Sequence, residues 1–247
     1  MGKKIAILIL SYNEENNIKD CIETAKFADE IIVIDSGSSD NTKAIAESMG
    51  AKFIYNEMTG FAKQRNFALL QTKCEWVMYL DADERLTNDA CEEIKKIVKE
   101  GTRAAYEILR MNIVFGKRVF YGGHSPDYSL RLYPRDAIKW EGDVHEKANV
   151  KVPIKKMKNV MDHYTYNDWD KYFIKFNQYT SLMANQMKNK GKKAKFSDIV
   201  FRPWYAFIRF YILKSGWRDG KIGFILAMLH SFYTLSKYVK LYYWQED

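Results

Sequence analysis

The 247-residue chain has only three cysteines, Cys21, Cys74 and Cys91. They are odd in number and scattered, and no two form a C-x-x-C pair, which points away from a disulfide framework and toward reduced thiols in a cytosolic protein. No uncharged run reaches the ~20 residues needed to span a bilayer; the longest, Ile222–Ser236, has 15. No signal peptide is expected at the N-terminus: Ile5–Leu10 is too short an apolar run and is followed by Glu14–Glu15 rather than a small-residue cleavage site. Neither G-x-G-x-x-G nor G-x-x-x-x-G-K-[ST] occurs, so the sequence predicts neither a dinucleotide fold nor a P-loop. There are no internal repeats. With 47% hydrophobic and 28% charged residues, the composition excludes a disordered or fibrous chain and gives enough apolar material for one domain with an appendage.

What the sequence does have is a charge asymmetry. Residues 151–247 carry 18 Lys/Arg against 7 Asp/Glu, whereas residues 1–150 carry 21 against 24. The whole basic excess therefore sits in the C-terminal part, which is also rich in Tyr, Trp and Phe. Such a segment suits nucleic acid or an anionic membrane surface.

The first hundred residues alternate strand and helix signals. Lys4–Leu10, Glu30–Ile34, Ala51–Tyr55 and Trp76–Leu80 are apolar runs of the kind buried on both faces of a sheet. Between them, Ile18–Phe27, Thr42–Met49 and Phe61–Leu70 have helical character, and Asn88–Lys99 follows. Asp40 or Asn41 is the expected cap of the second helix, and Asn88 or Asp89 that of the fourth. Short links between alternating elements predict an α/β, doubly wound, mostly parallel sheet. Residues 104–165 predict further short strands, at Ala104–Val114, Ser129–Tyr133 and Val160–Tyr164. Helical spacing returns over 168–188, and after a basic linker two more helices are expected near Ile199–Leu213 and Ile222–Tyr243.

Ligands of open α/β sheets bind at the carboxyl ends of the strands. Three such ends carry polar clusters: Ser11-Tyr12-Asn13-Glu14, Asp35-Ser36-Gly37-Ser38-Ser39-Asp40 and Asp81-Ala82-Asp83-Glu84. On an extended chain, residues two apart point the same way, so Asp81 and Asp83 are expected to face one hard cation, Mn²⁺ or Mg²⁺, able to neutralise a leaving diphosphate. The glycine-containing turn at 35–40 is expected to offer N–H groups and a carboxylate to a nucleotide.

These three clusters, together with Lys63-Gln64-Arg65-Asn66, occur in the order and spacing of the family 2 glycosyltransferases, which the chain resembles, and the resemblance implies the GT-A fold. Leu130-Arg131-Leu132-Tyr133-Pro134-Arg135, Val144-His145-Glu146 and Asp162-His163-Tyr164 resemble the bacterial lipopolysaccharide-core glucosyltransferase branch more closely. The resemblance implies a GT-A catalytic domain over 1–165, with a nucleotide-binding half at 1–100 and an acceptor half at 101–165. Residues 166–247 then form a C-terminal helical, basic and aromatic membrane-associating region. It implies that Tyr12 stacks on uracil, that Asp35 accepts a hydrogen bond from the base, and that Arg65 reaches the nucleotide or diphosphate. Asn13, Glu14, Ser36 and Gly37 complete the donor site. Asp83 ligates the metal, with Asp81 near the donor ribose or the metal and His163 a candidate third ligand. An inverting transfer needs a general base; Glu146 is the first choice, with Asp127 and Glu141 as alternatives, since the Glu-Asp pair of better-known relatives does not occur after residue 100. Arg131 and His145 are assigned to the acceptor region.

The implied activity is transfer of a hexose, glucose by resemblance, from a UDP-sugar to a lipopolysaccharide-core or lipid-linked glycan. The implied place is the inner face of the cell membrane, held peripherally by the two final helices; packing of those helices on the catalytic domain or in a dimer is the alternative. No specific nucleic acid is expected as a partner. The competing classes are a nucleotidyltransferase, which would place a glycine-rich basic loop where this chain has the acidic Ser11–Glu15, and a non-catalytic polyanion-binding protein.

Overall fold

The computed structural model describes residues 2–142, 147–166 and 169–245. Four strands, β1 (Ile5–Ser11), β2 (Glu30–Asp35), β3 (Lys52–Tyr55) and β4 (Trp76–Asp81), alternate with α1 (Ile18–Ala25), α2 (Thr42–Ser48) and α3 (Phe61–Leu70). They pair in parallel in the order β3-β2-β1-β4. The apolar runs read from the sequence are these strands, and the α/β class follows as expected.

Burial on both faces explains the unbroken apolar pattern. Along β1, Ile5, Ile7 and Ile9 join one core cluster with Trp76, Met78 and Leu80. The alternate residues Ala6 and Leu8 join a second cluster with Val77 and Tyr79. Each fully buried Ile or Leu contributes roughly 1.5–3 kcal/mol.

Beyond β4 the sheet changes direction. β5 (Glu84–Leu86), α4 (Asn88–Glu100), β6 (Ala105–Val114), β7 (Lys117–Arg118), β8 (Asp127–Pro134), β9 (Ile138–Glu141), β10 (Lys147–Val150) and β11 (Ile154–Tyr166) follow in the chain. The nine-stranded sheet continues from β4 through β8, β6 and β11 to β5, with β7 paired to β6, while β9 and β10 form a separate hairpin. β4 meets β8, β8 meets β6 and β11 meets β5 in antiparallel fashion.

α4 buries Ala90, Ile94, Ile97 and Val98 along one stripe. Its cap is Thr87, not Asn88 or Asp89: Thr87 has extended backbone angles and its hydroxyl accepts from the Ala90 N–H. Asn88 and Asp89 already lie in the first turn. At α2 the cap position is Asn41, with no side-chain capping bond; the Asp40 carboxylate instead accepts from the Thr42 N–H (3.0 Å) and hydroxyl (2.5 Å).

The chain divides into two compact units, Met1–Arg110 with Asp127–His163, and Met111–Pro126 with Tyr164–Asp247. The second contains α5 (Trp169–Asn189), α6 (Phe196–Ile208) and α7 (Gly220–Trp244). Its core includes Val114, Val119, Ile222 and Leu226 at one place and Ala184, Ala194 and Leu241 at another. The helix expected to run to Leu213 loses its α-helical pitch at Arg209, where a π-helical turn, Arg209–Leu213, takes over. Gly223 lets α7 approach the turn before it: a Cβ there would lie 1.9 Å from the Gly216 carbonyl oxygen. Among the described residues, no helix is long and apolar enough to cross a membrane.

Candidate active site

Strand register assembles the site at one edge of the first unit. Ser11 is the partner of Asp35 across β1 and β2, and Leu10 is the partner of Asp81 across β1 and β4. On the far side of the sheet, β5 pairs with β11 so that Glu84 is opposite His163.

The first two loops are knit together by side chains. Asp35 is buried. Its carboxylate accepts from the Ser11 hydroxyl (2.8 Å), the Ser38 hydroxyl (2.6 Å) and the N–H groups of Gly37 (2.9 Å) and Ser38 (2.7 Å). Four donors fill the lone-pair sites of a carboxylate, so Asp35 organises the turn, and the base contact that the resemblance implies would have to share an oxygen already in use. Asn13 takes a left-handed conformation (φ 54°), which asparagine tolerates better than most residues. Its side-chain oxygen accepts from the Ser39 N–H (2.9 Å), and its own N–H donates to the Ser38 hydroxyl (2.7 Å). The Glu14 N–H donates to the Thr42 hydroxyl, and the Glu14 carboxylate accepts from Asn17. The Ser36 hydroxyl accepts from Gln64. Tyr12 is left 60% exposed at the edge of this platform.

The third cluster differs from the extended arrangement. Residues 82 and 83 form a turn between β4 and β5, so the two-residue alternation of a strand does not apply. Asp81 faces arginines: Arg131 lies 2.6 Å from Oδ2 and Arg65 3.3 Å from Oδ1. Burial alone would raise the Asp81 carboxyl, but the Arg131 and Arg65 guanidinium groups overcome it and hold the group well below the usual carboxylate range. Arg131 also reaches Glu84 Oε1 at 2.5 Å. Glu84 is buried and accepts from the Asp81 N–H. Burial pushes its carboxyl up, against Arg131, and the Asp81 charge adds to the push. The buried Arg131 is therefore a counter-ion at the base of the carboxylate cluster. Its position on β8, antiparallel to β4, carries it under the Asp81–Glu84 turn.

Arg65 is buried beneath Trp140 and Tyr79, 4.8 Å and 5.4 Å from the ring centres. Its Nε and Nη1 have no hydrogen-bond partner among the described residues, and the π faces offset part of that cost. Asn66 holds the β9–β10 hairpin to α3 by a reciprocal pair of bonds with the Trp140 backbone (2.8 and 3.0 Å).

Asp83 is approached by His163, whose Nε2 lies 3.5 Å from Oδ2. Both side chains are partly accessible. Among the described residues no group of three or more His, Cys, Asp or Glu is positioned to hold a metal ion. Asp81 accepts from two arginines, one at each oxygen, and its side chain stays 35% exposed. Asp83 and His163 still fit a divalent cation that completes its shell with diphosphate oxygens and water, as such ions commonly do.

Of the candidate bases, Glu146 lies outside the described residues, as does His145. Asp127 is 2.7 Å from Arg110 Nη2. Glu141 is exposed near Lys139 (3.4 Å) and Asn149. Two residues not singled out from the sequence, Arg110 and Arg85, lie against the carboxylate cluster. Arg110 bridges Asp127 and Glu84, and Glu84 anchors the cluster. Arg85 donates to the carbonyls of Ala82 (2.7 Å), Glu84 (2.9 Å) and Asn17 (2.7 Å).

The family model "Glycosyl transferase family 2" matches residues 6–149. The lipopolysaccharide core biosynthesis glycosyltransferase LpsC of Rhizobium meliloti (strain 1021) is 30% identical over 254 residues, covering 96% of this chain and 92% of that protein. An uncharacterized glycosyltransferase of Rickettsia bellii (strain RML369-C) is 26% identical, covering 98% of this chain and 87% of its own length. Among solved structures, S. aureus TarS 1–349 in complex with UDP-GlcNAc is 15% identical with a TM-score of 0.48, covering 94% of this chain and 81% of that one. Glucosyl-3-phosphoglycerate synthase of Mycobacterium tuberculosis, in complex with Mn²⁺ and UDP-glucose, is 22% identical with a TM-score of 0.39 over 45% of this chain and 44% of that one. A family match over more than half of the chain, with a 30% identical relative along nearly all of it, places this protein in glycosyl transferase family 2.

Proposed function

We propose that the chain is a metal-dependent, inverting hexosyltransferase that moves a sugar, glucose by resemblance, from a UDP-sugar to a lipopolysaccharide-core or lipid-linked glycan. The observation that carries this reading is the register that brings Ser11–Glu14, Asp35–Ser38 and Asp81–Glu84 to one sheet edge with His163 opposite Glu84. In it, Tyr12 stacks on the uracil, Asn13, Glu14, Ser36 and Gly37 line the donor, and Arg65 answers the diphosphate charge. Asp35 holds the loop that receives the base. Asp83 and His163 would hold Mn²⁺ or Mg²⁺, which supplies positive charge against the departing diphosphate. Glu146 takes the proton from the acceptor hydroxyl as its oxygen bonds to the anomeric carbon and the bond to the diphosphate breaks, with UDP leaving from the opposite face. A screen of UDP-sugars for Mn²⁺-dependent binding and hydrolysis tests the reading; no binding of any UDP-sugar with or without metal overturns it.

The second unit supports a peripheral place on the inner face of the cell membrane. α6 buries little more than Pro203 and Ala206. Phe201, Trp204 and Tyr205 are 60–69% exposed, and Phe196, Ile208 and Leu213 are exposed as well. Monomers rarely leave so much aromatic surface uncovered. Lys195, Arg209 and Lys214 border the same segment, the combination expected of a helix lying in a lipid interface.

A further inference from the structure

Gln64 is a buried polar side chain of the first unit, 1% exposed, and the transfer reading gives it no task. It sits on α3, one residue before Arg65. A carboxamide has two N–H donors and one oxygen acceptor, and here each is engaged. Oε1 accepts from Asn56 Nδ2 (2.6 Å), while Nε2 donates to the Asn56 carbonyl (3.0 Å) and to the Ser36 hydroxyl (3.2 Å).

Strand pairing explains why the three residues meet. β3 runs parallel to β2 with Tyr55 as the partner of Asp35, and the Asn56 N–H extends the ladder by donating to the Asp35 carbonyl (2.9 Å). Asn56 therefore follows β3 at the level where Ser36 follows β2. α3 shares a core cluster with β2, through Ala62 and Ala68 against Ile32 and Ile34, and this packing lays Gln64 beside both.

The arrangement decides where the protons are. A backbone carbonyl only accepts, so the Gln64 atom facing the Asn56 carbonyl is Nε2 and not Oε1. The amide is thereby fixed in one orientation, and its second hydrogen goes to Ser36. Ser36 Oγ receives that hydrogen on a lone pair, so its own proton points elsewhere. Among the described residues none accepts it. Ser36 is half-buried and directly follows β2, at the carboxyl edge where ligands of such sheets bind. The O–H is offered to the occupant of that edge. Its neighbour Asp35 has the opposite polarity, a carboxylate already shared among four donors.

Polarity at one point tells pyrimidines apart. Uracil carries a carbonyl oxygen at C4, where cytosine carries an amino group. A hydroxyl whose proton is turned outward pairs with the first. Against the second it has only its remaining lone pair, and the proton is stranded without an acceptor, the more costly failure.

We infer that Gln64 is a positioning residue for nucleobase selection: it holds the Ser36 hydroxyl as a donor, so that the site takes a base with a carbonyl rather than an amino group at that edge. The inference rests on the proposed reading of the donor as a nucleoside-diphosphate sugar.

The test is calorimetric titration of the full chain with UDP and with CDP in one Mn²⁺ buffer, read as the ratio of the two affinities. Diphosphate, ribose and metal are common to both ligands and cancel in the ratio. The parent is expected to favour UDP about tenfold or more, because a match and a stranded proton both enter the difference. Ser36→Ala removes only a hydroxyl at a half-buried position and should lower the ratio about two- to tenfold, the scale of one neutral hydrogen bond. Gln64→Glu is the sharper variant. The oxygen that replaces Nε2 faces Ser36 with a lone pair in either protonation state, since any proton it carries goes to the Asn56 carbonyl. The Ser36 proton then turns inward and a lone pair faces the site. UDP should bind more weakly and CDP more tightly than to the parent, changes of opposite sign that a loosened fold does not produce. Equal losses for both nucleotides in Gln64→Glu, or an unchanged ratio in Ser36→Ala, would make Gln64 a packing residue and overturn the inference while UDP binding keeps the transferase reading intact. Binding of neither nucleotide by the parent would overturn both.

Discussion

His163 Nε2 lies 3.5 Å from Asp83 Oδ2, although eighty residues of chain separate them; the antiparallel register of β11 on β5 sets the meeting. If this pair holds the cation, Asp83→Ala should abolish transfer and weaken UDP-sugar binding in Mn²⁺. His163→Ala should raise the Mn²⁺ concentration needed for half-maximal donor binding. Donor titration across a Mn²⁺ series reads both effects. Full donor binding in EDTA, or by Asp83→Ala, would exclude the pair as the metal site.

Arg131 neutralises two carboxylates at once. Its replacement by methionine keeps the bulk and leaves the buried Glu84 with Arg110, at 3.5 Å, as its remaining cation. Removing one partner of a buried ion pair costs about 3–5 kcal/mol. Urea unfolding of Arg131→Met should show a loss of that order, and Glu84→Gln in the same background should recover part of it. A neutral effect of Arg131→Met means the cluster is hydrated and weakly coupled.

Glu146→Gln is nearly isosteric and cannot take a proton. Loss of a general base commonly lowers the rate about 10²–10⁴-fold. The donor affinity should hold while kcat falls. If affinity falls at constant kcat, Glu146 binds substrate and the base is sought at Asp127 or Glu141.

His230 links pH to the stability of the second unit. Its folded-state value is pushed down to about 4 from an ordinary 6.5, by burial first and then by Lys237 and His124. The unfolded chain therefore binds the proton at a higher pH than the folded one does. The stability contribution is complete above about pH 6.5 and is lost as pH falls toward 4. The Tm of His230→Gln should drop less than that of the parent between pH 7 and 4.5; parallel curves would remove His230 as the cause.

Membrane association should combine screened and unscreened parts. Basic side chains near an anionic surface contribute about 1 kcal/mol each, and aromatic insertion is independent of salt. The protein should co-sediment with phosphatidylglycerol vesicles, less at high salt but still measurably. Phe201→Asp with Trp204→Asp, both at exposed positions, should leave it in the supernatant. Retention of binding by the double variant would point to another surface.

How much of this was legible in the sequence depends on range. β1, β2, β4 and α3 were read nearly to the residue, because an apolar run between two helical segments is a local signal. β5, β7, β9 and β10 have two to four residues each and, unlike the equally short β3, do not lie between two helical segments that would mark them. The Asp81/Asp83 pair was found, but its geometry was not. The chain turns at residue 82, and the groups that claim Asp81 come from residues 65 and 131, contacts no local pattern encodes. The two carboxylates that Arg131 meets, on Asp81 and Glu84, are likewise fixed by long-range pairing. Arg85 and Arg110 gave no motif at all; what places them is strand pairing and burial, which exist only once the sheet has formed.

Arg85 ties the carbonyls on either side of Asp83 to the carbonyl of Asn17, at the end of the loop that begins with Tyr12. The turn that would meet the cation and the loop that would meet the base thus share one rigid, planar connector, and neither can shift without pulling on the other. If occupancy at one place biases the other through this connector, thermodynamic reciprocity makes the bias equal in both directions: whatever factor the cation adds to donor affinity, the donor adds to cation affinity. Such coupling would let the protein remain largely metal-free at cation concentrations where the donor-bound form is already saturated.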